Sequence, residues 1–160
     1  NMSDEKIYTC QICGRPIKAK NEIIAHHGYK RPDRGSGWQT ASCAGARFKP
    51  YEISYDRLPP TIEVIKAHIS IVELKLEEHI NNPPEKLIVN KGYSWQKNYV
   101  EVPRPPNFDA KNPPCCVGMF SYEGEHHDVR RRYEQDIKYS KEDLKFMEER
   151  LAKWVAPTNP

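Results

Sequence analysis

Cys10-Gln11-Ile12-Cys13-Gly14 places two thiols two residues apart and follows them with glycine. A loop this short can aim both thiolates at one metal ion, and the glycine permits the tight backbone turn. Further along come His26-His27 and then a lone Cys43. Cys10, Cys13, one imidazole and Cys43 make a closed tetrahedral set, of the kind that holds a structural zinc ion and leaves no position open for water or substrate. His26 and His27 are neighbours, so on a strand they face opposite ways and only one can meet the metal. His27 precedes Gly28, where the chain can turn away, and is the preferred ligand; His26 remains the alternative.

The residues around this set read as a small ββα unit, treble-clef-like, over residues 7–57. Two short strands are expected at 15–20 and 22–27, joined by a tight turn at Lys20-Asn21-Glu22. Residues 33–37 read as a flexible loop. A short helix is expected from Ser42, carrying Cys43 in its first turn and ending at Pro50. Some fifty residues hold little core, so metal binding is expected to contribute directly to folding.

Residues 58–160 read differently. Ile62, Ile65, Ile69, Val72, Leu76 and Ile80 recur in steps of three and four, which predicts a helix over about 61–81 with Thr61 as its cap. Asn81-Asn82-Pro83-Pro84 stops it. A second stripe, Val129, Tyr133, Ile137, Leu144, Met147, Leu151 and Trp154 or Val155, predicts a helix over about 123–155. Ser140 falls at a polar step in that stripe. Between them lies an irregular, Pro-rich connector, 82–122, with strand-like runs at Leu87-Ile88-Val89 and Tyr99-Val100-Glu101-Val102. The expected architecture is therefore α+β: the zinc-binding unit followed by a long antiparallel helical hairpin. A homodimer through the same apolar stripes is the alternative way to cover them.

The chain has 160 residues and five cysteines. An odd count, with three cysteines suited to metal, fits a reducing, cytoplasmic setting. No apolar run approaches the length of a membrane span. The first residues lack the apolar core of a signal peptide, and Met2 is the expected start. The net charge is +3. Residues 1–60 hold ten Lys/Arg against six Asp/Glu, a balance of +4, and the remainder hold fifteen against sixteen, a balance of −1. The basic excess thus belongs to the metal-binding part. Lys18, Lys20, Lys30, Arg31, Arg34, Arg47 and Lys49, around Tyr29 and Trp38, are candidates for a nucleic-acid-binding surface.

Cys115-Cys116 and His126-His127 repeat the ligand types, but adjacent thiols are awkward joint ligands for one ion. The blander reading puts one cysteine in the core and the histidines at the exposed start of the last helix. No Gly-rich phosphate loop, nucleophile elbow or paired acidic motif occurs. A metal-dependent ββα-type nuclease with His26 as base is a second reading, yet residues 44–48 supply no metal ligand. A third reading is a protein-binding factor that uses the helices and the connector aromatics Tyr93, Trp95 and Tyr99.

Cys10-x-x-Cys13-Gly14-Arg15, Ile24-Ala25-His26-His27-Gly28-Tyr29-Lys30-Arg31-Pro32, Ser42-Cys43-x-Gly45 and Pro50-Tyr51-Glu52 together resemble small zinc-finger-like proteins of bacteriophages, prophages and plasmids. The resemblance covers residues 8–57. His-Gly and Cys-x-Gly recur in that family, which implies His27 and Cys43 as ligands. It also implies a mobile-element origin and a zinc site; the residues themselves suggest a binding module with a nucleic-acid or host-protein partner. It implies no particular activity.

Overall fold

The computed structural model describes residues 4–31, 41–114 and 117–158. Among the described residues the architecture is α+β, with small antiparallel sheets and two helices. In chain order the elements are β1 (Glu5–Thr9), β2 (Pro16–Lys20), β3 (Ile23–Ile24), α1 (Leu58–Asn81), β4 (Lys86–Asn90), β5 (Tyr99–Pro103) and α2 (Tyr122–Lys153). The chain divides into two compact units, residues 1–67 with 140–160 and residues 68–139. No helix among the described residues is long and apolar enough to cross a membrane.

In the first unit β1, β2 and β3 form an antiparallel sheet. Pairs run from Glu5↔Lys20 to Thr9↔Pro16, so the strands close on the loop that carries Cys10 and Cys13. At the other end β2 turns into β3 through Asn21 and Glu22, both at positive φ (52° and 60°). Two such residues make the mirror-image turn whose twist matches paired strands. The ladder to β3 is short, Ala19↔Ile24 and Lys20↔Ile23, and stops well before His27.

The helix expected from Ser42 does not form. Residues 44–47 run in turns, and Arg47 sits at φ 67°, where a right-handed helix cannot continue. Its amide donates to the Ile24 carbonyl (2.8 Å), while the Ile24 amide donates to the Phe48 carbonyl (2.9 Å). These reciprocal bonds to β3 hold the segment against the sheet and satisfy groups that a helix would have paired internally.

The first helix therefore starts at Leu58. Pro59 and Pro60 fit its first turn, where amide donors have no helical partner. Thr61 lies inside that turn, and its hydroxyl donates to the Arg57 carbonyl (2.6 Å). Leu58, Ile62 and Met147 pack with Cys10, Ile12, Cys13 and Cys43 as the buried core of this unit. Each large apolar side chain removed from water there contributes about 1.5–3 kcal/mol. Tyr51 and Trp154 tie the end of α2 to this core. The Tyr51 hydroxyl donates to the Arg150 carbonyl (2.6 Å), and the Trp154 indole donates to the Tyr51 carbonyl (2.7 Å).

In the second unit the segments of α1 and α2 run antiparallel, since His68 meets Asp136 (2.9 Å) and His79 meets His126. The α2 stripe predicted at Val129, Tyr133 and Ile137 is half-buried, and Ser140, in the first unit, is buried despite its polarity. Ser121 caps α2: its hydroxyl oxygen accepts from the Gly124 amide (3.0 Å), and its carbonyl accepts from the Glu125 amide (3.0 Å). Glu123 and Glu125 lie in the first turn and Arg150 and Lys153 in the last, each complementing the helix dipole. The two strand-like runs of the connector pair as β4 and β5, from Lys86↔Pro103 to Asn90↔Tyr99. Val89 points into the core, whereas Ile88 is exposed.

Candidate metal centre

Cys10 and Cys13 sit in the loop between β1 and β2. The Cys10 amide donates to the Arg15 carbonyl (3.0 Å), and the Gly14 amide donates to the Cys10 carbonyl (3.1 Å). Gly14 adopts φ 73°, a conformation costly for residues bearing a Cβ. His27 and Cys43 come from two further segments joined by backbone bonds. The Cys43 amide donates to the His27 carbonyl (2.9 Å), and Gly28 bridges Ser42.

This brings the ligand atoms of Cys10, Cys13, His27 and Cys43 within 4.8 Å of one another. The Cys10 and Cys43 sulfurs are 3.8 Å apart, and the Cys13 sulfur is 3.4 Å from His27 Nε2. The three cysteines are free thiols and buried, and His27 is half-buried. Such a cluster can hold a metal ion. His27 Nδ1–H donates to the Ala25 carbonyl (2.8 Å), which leaves the Nε2 lone pair directed at the thiols. An outer hydrogen bond of this kind fixes the tautomer of a metal-binding imidazole.

Electrostatics within the cluster are uneven. Hydrogen bonds from Cys10 and Cys43 hold the Cys13 thiol well below the usual thiol range. Cys10 is pushed up, first by its bond to Cys13, and Cys43 is pushed up, first by its bond to Cys10, with burial adding to both.

The supporting shell is drawn from distant parts of the chain. The buried Gln11 donates through Nε2 to the Lys49 carbonyl (2.8 Å) and Asp56 Oδ1 (2.9 Å), and accepts from the Arg57 amide (2.9 Å). It thereby locks the Cys-x-x-Cys loop to the start of α1. Arg150 Nη1 donates to the carbonyls of Cys10 (3.1 Å) and Gln11 (3.3 Å). Its guanidinium also lies over the rings of Phe146 and Tyr51. Arg15 Nη2 donates to the Gly28 carbonyl. The Tyr29 hydroxyl donates to Asp143 Oδ1 (2.8 Å), and the Arg31 Nε donates to the same carboxylate (3.2 Å). Burial is the leading cause that pushes the Tyr29 phenol up. A Cβ on Gly45 would collide with the Cys10 sulfur, so the glycine of Cys-x-Gly clears space for the thiol.

Neither Gln11 nor Asp143 stands out in the sequence, and Arg150, which reads there as a solvated position of the last helix, is instead half-buried against the metal-ligand loop. Gln11 lies inside the motif, where its amide marks a polar group in an otherwise apolar loop. For Arg150 and Asp143 no local signal exists, because their partners lie more than a hundred residues away.

His26 is exposed and outside the cluster, with Nε2 2.9 Å from the Ser42 hydroxyl. Of the candidate basic residues, Lys18, Lys20, Arg47 and Lys49 are exposed. Lys18 stands 3.7 Å from Glu5, Arg31 is engaged by Asp143 and Lys30 is half-buried. Tyr29 packs against the core. Arg34 and Trp38 lie outside the described residues, as do Cys115 and Cys116. His127 is exposed, but His126 is buried at the start of α2 and stacks on His79. Among the described residues the Cys10, Cys13, His27 and Cys43 group is the one set of three or more such ligands placed to share an ion. No protein-family model, curated protein or solved structure matches this chain.

Proposed function

We propose that this chain is a zinc-stabilised binding module of the phage or mobile-element type, and that it contacts nucleic acid or a host protein. The observation that carries the reading is the closed Cys3His set, with His27 held by Ala25 so that its free nitrogen joins three thiols. Tetrahedral zinc, about 2.3 Å from sulfur and about 2.0 Å from nitrogen, sets sulfurs roughly 3.8 Å apart and sulfur and nitrogen roughly 3.5 Å apart. The observed separations of 3.8 Å and 3.4 Å support zinc as the ion. Four protein ligands leave no open position, which supports a structural ion. Three buried thiols kept free for a metal favour a reducing, cytoplasmic setting. The Cys-x-x-Cys hairpin with single later ligands supports a treble-clef-like unit whose helical part is supplied by α1.

Native mass spectrometry of the purified protein tests this reading. One zinc per chain, lost together with folding of the first unit in Cys43→Ser, is the expected result. A fully folded protein that holds no metal overturns it. Oligonucleotide binding and capture of a host partner then divide the two classes of partner.

A further inference from the structure

The β4–β5 hairpin ends in a loop that is tightly built yet leaves its aromatic side chains in water. Its backbone is closed by bonds from the Lys91 amide to the Asn98 carbonyl (2.8 Å) and from the Tyr93 amide to the Gln96 carbonyl (2.9 Å). The Asn90 side-chain oxygen accepts from the amides of Gly92 and Asn98, both at 2.9 Å. A Cβ on Gly92 would collide with the Gln96 carbonyl, so the loop also needs glycine there. None of this order buries the aromatics. Trp95 is 81% exposed, Tyr93 64% and Tyr99 60%. The Tyr93 and Trp95 rings lie parallel, 4.8 Å apart between centroids and 3° between planes. Each ring covers one face of the other, and the outer faces remain open.

Charge selects among possible occupants. From residue 86 to residue 100 the chain carries Lys86, Lys91 and Lys97 and no carboxylate. The next acid, Glu101, is engaged by Lys86 at 3.4 Å. Lys91 and Lys97 flank the aromatic tip and are exposed. Open aromatic faces between unopposed ammonium groups match a chain of stackable bases joined by phosphates. A mostly apolar protein partner would leave the two lysines without a role.

We infer that the tip of the β4–β5 hairpin is a stacking platform for single-stranded nucleic acid. Tyr93 and Trp95 meet base faces, and Lys91 and Lys97 meet phosphates. The inference deepens the nucleic-acid branch of the proposed function and rests on it, but is independent of the metal. Stacking does not read base identity, so the platform takes DNA or RNA with little sequence preference.

The test is fluorescence anisotropy of the full, zinc-loaded chain with labelled oligo(dT) and oligo(U) of about 15 nucleotides. Y93A/W95A is expected to weaken binding roughly tenfold or more, with W95F retaining most of it. K91A/K97A is expected to make the plot of log affinity against log salt shallower by roughly 1.4. Zinc content and unfolding midpoint stay unchanged in each variant. Wild-type affinity in Y93A/W95A, or hairpin-dependent binding only to anionic lipid vesicles or to a host protein, overturns the inference. Binding lost in K18A/K20A but kept in Y93A/W95A overturns it while leaving the nucleic-acid reading intact. A zinc-loaded wild type that binds no oligonucleotide overturns both and leaves the metal site standing.

Discussion

The guanidinium of Arg150 fills the space that a side chain on Gly14 would need. The two residues lie at opposite ends of the chain, one closing the Cys-x-x-Cys loop and one in the last turn of α2. Because Gly14 also holds φ 73°, it answers two demands at once: a backbone conformation and the close approach of a cation. From that place Arg150 satisfies the carbonyls of Cys10 and Gln11, and burial holds its guanidinium below its ordinary value. The metal loop is thus finished by a residue from the far end of the sequence.

Gly14→Ala should therefore destabilise the first unit by at least about 1–2 kcal/mol from backbone strain alone, with displacement of Arg150 added. Arg150→Ala should also destabilise it, by leaving loop carbonyls unpaired. The double variant should cost less than the sum, because the collision is gone. Urea unfolding of the four proteins closes the cycle. Strictly additive costs would show that the two residues do not share the space.

Metal uptake should release about two protons per ion near neutral pH. Cys13 lies below the usual thiol range while Cys10 and Cys43 lie above it, and all three must ionise to bind a metal ion. Affinity should therefore rise with pH and be lost as pH falls, by roughly a hundredfold per unit for two protons. Calorimetric titration in buffers of different ionisation enthalpy measures the release. Uptake without proton release contradicts the charge distribution described for the thiols.

The elements legible in the sequence are those set by neighbours. Cys10-x-x-Cys13-Gly14 is a local geometry, and the Asn21-Glu22 turn and the Ile62 to Ile80 stripe are short-range patterns. Where the outcome depends on distant partners, the local pattern misleads. Ser42 and the small residues after it permit a helix, but the bonds of Arg47 and Phe48 to Ile24 hold that segment open. Glu5–Thr9 shows no alternation of apolar and polar residues, and it becomes a strand because β2 returns beside it and the Glu52 carboxylate accepts from the Thr9 amide (2.9 Å). His126 shows no sign in the sequence of burial, since its partner His79 lies on another helix.

Ser121→Ala should loosen the start of α2. The hydroxyl oxygen that accepts from the Gly124 amide would be lost, and a cap of this kind contributes about 1 kcal/mol. Amide exchange in the first turns of α2 should quicken about fivefold, with little change in the first unit. Unchanged protection there would mean that the Glu125 bond to the Ser121 carbonyl suffices alone.

Acid should weaken the second unit through His126. Its ring stacks on His79 with centroids 3.7 Å apart, and each Nε2–H donates to the other residue's backbone carbonyl at 2.8 Å. Burial is the main cause that holds the His126 imidazole below its ordinary value, opposed by the bond to the His79 carbonyl and aided by the charge of Arg130. A depressed folded-state value means that the unfolded chain takes up the proton first. The stabilising contribution is complete above about pH 6.5 and declines below it, by at most about 1.4 kcal/mol per pH unit, until the folded-state value is reached. Amide exchange within residues 122–139, followed from about pH 7.5 to 5, isolates this effect from loss of metal in the other unit. His126→Gln keeps a donor for the His79 carbonyl but cannot titrate, so its residual stability should be nearly flat across that window. An equal acid slope in His126→Gln would place the sensitivity elsewhere.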